Sequence, residues 1–120
     1  MRKSISFYVF VMLENISDIR EFVKVLDRGK FMRSDVTQDA VMWCVTKVAQ
    51  ATGSVPEEVR TRYPDVPWVM MEAMREVLED EHLNVDLELL WGVVTEDLLP
   101  LESRLKVILA DLEEEEGYSG

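Results

Sequence analysis

Few side chains in this 120-residue chain have the types that acid–base or anion chemistry needs. His82 is its one imidazole and Cys44 its one thiol. Arg75 stands seven positions before His82, nearly two turns of helix, so the two share a face if a helix continues that far. An imidazole moves protons near neutral pH, and a guanidinium steadies negative charge. Against this, Glu79, Asp80 and Glu81 precede His82 and favour its imidazolium form, which weakens it as a base. Glu72 and Glu79 both come within helical reach of Arg75. The plain alternative makes Arg75 a structural ion-pair residue and His82 the end of a helix. Other chemistries lack their residues. There is no glycine-rich phosphate loop, no Gly-x-Ser-x-Gly elbow and no paired histidine on a helix. One Cys and one His leave no usual zinc ligand set, and no metal or cofactor is expected. Cys44 reads as a small buried hydrophobe, since no cationic cluster is near it in sequence to make a thiolate.

The elements that must position these residues read as helices. Ile5, Val9, Met12, Ile16, Ile19, Val23 and Leu26 alternate at four- and three-residue steps, and Gly29 is the expected stop. Phe7, Tyr8, Phe10, Val11 and Phe22 widen that stripe, so either another helix or a second subunit covers the surplus. A second helix, capped by Asp35 or Thr37, carries Ala40, Val41, Cys44, Val45, Val48 and Ala51 to Gly53. Ser54-Val55-Pro56-Glu57 has capping-box spacing and opens a short helix that must end before Pro64. Tyr63-Pro64-Asp65-Val66-Pro67-Trp68 is a stiff connector with Trp68 as its anchor. Val69 to Leu78 reads as helix with Met70, Ala73, Met74 and Val77 on one face. After an interruption at His82-Leu83-Asn84, with Asn84 or Asp86 as cap, Leu87, Leu90, Val94 and Leu98 continue as helix. Pro100 kinks that helix or begins a final one with Leu101, Leu105, Ile108 and Leu112. The whole is an all-α antiparallel bundle of four to five helices over residues 1–112, with an acidic, fraying tail over 113–120.

Composition agrees: 48% hydrophobic and 31% charged residues make an ordinary globular mix. The apolar run at the N-terminus is too short to span a bilayer and is followed at once by Glu14, Asp18 and Arg20. With a single cysteine as well, the expectation is a cytoplasmic protein. The net charge of −11 is uneven, for beyond residue 62 only Arg75, Arg104 and Lys106 are basic. That half repels phosphates, so contact with RNA falls to Lys30, Arg33, Lys47, Arg60 or Arg62.

Several segments together resemble a known family. They are Thr37-Gln38-Asp39-Ala40-Val41, Val55-Pro56-Glu57-Glu58-Val59-Arg60, the Tyr63–Trp68 connector, Met74-Arg75, Val85-Asp86-Leu87-Glu88 and Asp97-Leu98-Leu99-Pro100-Leu101. Over about residues 30–105 the chain resembles the HepT-like family of the HEPN superfamily, small helical ribonucleases. The resemblance implies a dimeric bundle, the toxin of a toxin–antitoxin pair, partnered by a minimal nucleotidyltransferase. It also implies a metal-independent RNase motif: Arg, four residues, His, one residue, Tyr. Arg75 matches the Arg, but Asp80 stands at the His position and His82 at the Tyr position. The resemblance would also imply that the partner silences the toxin by adenylating the motif Tyr, which does not carry over because that Tyr is missing. The superfamily admits up to six residues between Arg and His, which Arg75 and His82 satisfy. In that case His82 moves the proton as a 2′-hydroxyl attacks its neighbouring phosphate, and Arg75 steadies the developing charge.

The expectation is a HepT-like protein that acts through binding, with its RNase site degraded, as a homodimer or paired with a nucleotidyltransferase-type antitoxin. An active endoribonuclease using Arg75 and His82 is the first alternative, and RNA is a partner in that case. A stand-alone helical adaptor is the second.

Overall fold

The computed structural model describes residues 4–80 and 86–117, with backbone alone for residues 75–80. Among the described residues there are helices and no strand. Helix α1 (Ile5–Lys24) buries Val9, Met12, Leu13, Ile16, Ile19 and Val23, the stripe its spacing predicts. It ends at Val25 rather than at Gly29, because Asp27 caps a separate short helix, α2 (Arg28–Met32), by accepting from the Lys30 amide at 2.8 Å. Gly29 therefore lies inside α2.

Helix α3 (Asp35–Gly53) is capped one residue earlier than expected, by Ser34, whose hydroxyl accepts from the Thr37 amide. Gln38, though buried, is satisfied by donating to the Phe31 carbonyl at 2.9 Å, which ties α3 to α2. Ser54 caps the C-terminal end of α3 instead of opening the next helix. Pro56 takes the N-cap place of α4 (Glu57–Arg62) with no side-chain cap bond, so no capping box forms.

Helix α5 is Trp68–Asp80, and α6 is Leu87–Gly92, capped by the Asp86 carboxylate on the Glu88 and Leu89 amides at 3.1 Å. A π turn (Val93–Leu98) and a 3-10 turn (Leu99–Leu101) then join α6 to α7 (Glu102–Gly117) in one rod. Pro100 explains this junction. It has no N–H to donate, and its ring would collide with the preceding turn, so the coil widens before it and tightens across it. The rod buries Leu90, Val94, Leu98, Leu105, Ile108 and Leu112.

The bundle is thus four long rods, α1, α3, α5 and α6–α7, with α2 and α4 as short connectors. Helix α1 packs on both α3 and α7, and α3 packs on α5. Phe31 sits fully buried against the Trp91 ring, with centroids 5.1 Å apart. Helix α7 carries on through Glu113–Glu116, where charge repulsion suggested fraying. Glu115 pairs with Arg62, and Glu116 accepts from the Ser6 amide at 3.1 Å, so two of those carboxylates are tied to other elements.

Candidate functional site

The site helix is α5, and the connector before it fixes where it starts. Trp68 is buried and donates its indole N–H to the Tyr63 carbonyl at 2.9 Å, closing residues 63–68 into a compact loop. Tyr63 in turn donates its hydroxyl to Asp111 at 3.1 Å. The guanidiniums of Arg62 and Arg104 each lie 5.4 Å from its ring centroid. Burial, then the Asp111 carboxylate, push the Tyr63 phenol above its ordinary range. Arg104 grips Asp65 with two hydrogen bonds, 2.6 and 3.2 Å, and holds that carboxyl below the usual range. Two prolines and these contacts together fasten the connector to α7.

Arg60 sets the register of α5 against α3. Its side chain is only 14% exposed, donates to the carbonyls of Val55 (2.9 Å) and Thr52 (2.7 Å), and pairs with Glu72 at 2.9 Å. The Thr52 carbonyl, at the end of α3, also accepts from the Val55 amide at 3.0 Å, so Arg60 adds a second donor there. Gly53 lies so near that a Cβ there would come 3.4 Å from the Glu72 carboxylate. Because the end of α3 meets the second turn of α5, extended packing of the two requires them to run antiparallel. Both rise about 1.5 Å per residue. Position 75 therefore falls level with Gln50, and position 79 with Thr46.

Helix α5 carries Arg75 and Asp80, and His82 lies outside the described residues. The two motif positions on α5 share that helix with Glu72, Glu76 and Glu79. Glu72, which helical spacing puts within reach of Arg75, gives a carboxylate oxygen to Arg60. The buried face of α5 begins with Trp68, Met71 and Met74, not with Met70 and Ala73, because the anchored indole turns the helix by one position. A groove of about 670 Å³ between α4 and α5 is lined by Pro64, Pro67, Trp68, Val69 and Ala73, with Arg60 at its side. Glu57 and Thr61 also line it, with no His, Cys or second carboxylate beside them.

On α3 the outward stripe carries Trp43, 62% exposed, with the Lys47 ammonium 4.5 Å from its ring centroid. Gln50 follows one turn on and is exposed. Thr46 spends its hydroxyl on the Met42 carbonyl at 2.9 Å. Cys44 faces the core, and burial, helped by the Asp18 charge, pushes its thiol up to about 11. It is no nucleophile.

Two of the cations expected to reach RNA are otherwise engaged. Arg60 is held among backbone carbonyls and Glu72, and Arg62 is paired with Glu115. Nothing in the sequence showed that Arg60 is structural. The four-residue spacing of Trp43 and Lys47 is the signal in the sequence for their pairing. No group of His, Cys, Asp and Glu that could hold a metal occurs among the described residues. No described helix is long and apolar enough to cross a membrane.

Comparison with known proteins gives this arrangement a family. The family model described as ribonuclease HepT-like matches residues 12–108. A "gamma-glutamylcyclotransferase and putative RNase" of Methanocaldococcus jannaschii is 33% identical over 94% of this chain, which spans only 51% of that relative's length. A "putative RNase" of the same organism is 26% identical over 98% of both chains. The "probable ribonuclease HepT" of Thermococcus cleftensis is 28% identical over 88% of this chain and 96% of its own. No solved structure matches. With most of its length covered by the family model, and an Arg75-bearing helix set against α3, the chain belongs to the HepT-like ribonuclease family.

Proposed function

We propose that this chain is the HepT-like member of a cytoplasmic toxin–antitoxin pair, acting as a homodimer that binds a minimal nucleotidyltransferase-type antitoxin, with an altered RNase centre. The observation that carries this reading is the composition of α5. It keeps the motif Arg75 but places Asp80 where the family has its His, among Glu72, Glu76 and Glu79. Such a helix repels an incoming phosphate. Phe10 and Phe22, exposed on α1, supply apolar surface suited to a second chain.

The test is expression of the full chain with assays of growth arrest and of cleavage of total RNA. Little or no cleavage, together with capture of the nucleotidyltransferase-type protein, is the expected result. Strong cleavage that is lost on Arg75→Ala or His82→Ala defeats it.

That defeating outcome is the second reading, a metal-independent endoribonuclease using Arg75 and His82. What favours it is that the relatives reported above all carry RNase or ribonuclease in their names.

A further inference from the structure

Among the described residues Trp43 is the most exposed of the large aromatic side chains, at 62%, on the outer stripe of α3. Its helix is rigidly seated, because Cys44, Val45 and Val48 on the opposite side are buried. Lys47 lies one turn on with its ammonium over the indole, and Gln50 lies on the next turn. By the antiparallel register of α3 and α5, Lys47 is level with position 78 and Gln50 with position 75. Two members of the stripe therefore stand at the height of the motif helix.

An apolar surface fit for a protein partner has few charges at its centre. Here the neighbours of the indole along the stripe are Asp39 and Lys47, one turn to either side, with Val36 and Gln50 two turns away, so charged side chains adjoin it directly. An indole that holds one ammonium over its ring, with an amide further along the stripe, matches a nucleotide: the base takes the ring face as the ammonium moves to the phosphate, and the amide meets the base edge. We propose that Trp43 and Lys47 form a contact site for one nucleotide of single-stranded RNA, the base lying on the indole and the ammonium meeting its phosphate. This goes beyond the reading above, because binding there needs no cleavage and leaves the altered centre of α5 out of account. It adds Trp43 as a stacking residue and Lys47 as the cation, while Gln50 is placed to reach the base edge.

The experiment uses the full chain and a fluorescein-labelled octauridylate, with binding followed by anisotropy across a salt series and assembly mass by light scattering. Trp43→Ala and Lys47→Ala each weaken binding about tenfold, and Trp43→Phe keeps most of it. Lys47→Ala also lowers the slope of log affinity against log salt by about 0.7, the loss of one phosphate contact. Trp43→Ala binding as tightly as the parent while Arg75→Ala loses affinity overturns the stacking site and leaves RNA contact elsewhere. A parent chain that does not bind the oligonucleotide overturns it too, without touching the family or the antitoxin pairing. A change of assembly mass in Trp43→Ala overturns it in favour of a second protein chain over the indole.

Discussion

The Arg60 guanidinium lies 2.9 Å from the Glu72 carboxylate, and the same side chain donates to the carbonyls of Thr52 and Val55. One residue of α4 thus closes the end of α3 and holds α5 beside it. Register between the two helices follows from this clasp as well as from the apolar contacts beneath it.

Arg60→Met is expected to cost about 2–3 kcal/mol, because it removes charge-assisted bonds in a largely buried place, while the Thr52 carbonyl keeps the Val55 amide at 3.0 Å. Arg60→Lys recovers part of this, since an ammonium cannot span all three acceptors in the plane of a guanidinium. Urea unfolding followed by circular dichroism measures both.

Trp68→Phe is expected to cost about 2 kcal/mol, from the lost bond to the Tyr63 carbonyl and the space the smaller ring leaves. The parent indole is buried, with its N–H 2.9 Å from that carbonyl. The same unfolding measurement checks it, and an unchanged midpoint would show the connector to be held by its prolines and Arg104 alone.

Burial raises the Cys44 thiol from 9.0 to about 11. Between those values the folded chain keeps a proton that the unfolded chain releases, so this contribution to stability is complete below pH 9 and is lost as pH rises towards about 11. Unfolding midpoints across that range should fall less steeply for Cys44→Val than for the parent. At pH 8 the folded thiol should also react with iodoacetamide far more slowly than the unfolded one.

Phe10→Ser with Phe22→Ser should shift the light-scattering mass from dimer to monomer with the helical spectrum retained, since both rings are exposed in the single chain. A parent chain that is already monomeric removes the homodimer from the proposed function.

Much of the fold was legible because periodicity is a property of long helices. The stripe from Val9 to Val23 and the run Leu105, Ile108, Leu112 are buried as their spacing implies. The short elements were misplaced by one to several residues. Ser34 caps α3 where Asp35 was expected, and Asp27 opens an unforeseen α2 around Gly29, because several neighbouring polar side chains could serve as cap and the packing chooses among them. On α5 the register of the buried face depended on Trp68, a tertiary anchor that a periodic pattern does not contain. At the candidate site the sequence shows that Arg75 and Asp80 belong to one helix. It does not show that Arg60, twelve positions back along the chain, takes the Glu72 carboxylate. That pairing exists only once α3, α4 and α5 have folded back on one another.

The wide turn at Val93–Leu98 has a consequence for what this chain can lose. A π turn takes in one residue more than the regular coil, so the residues after it keep the phase of a helix one residue shorter. Deleting a single residue from the segment would let it close into regular coil with Leu105, Ile108 and Leu112 still facing the interior, whereas the same deletion at the start of α7 would turn all three by about 100°. The last third of the molecule thus tolerates a lost residue at this one place.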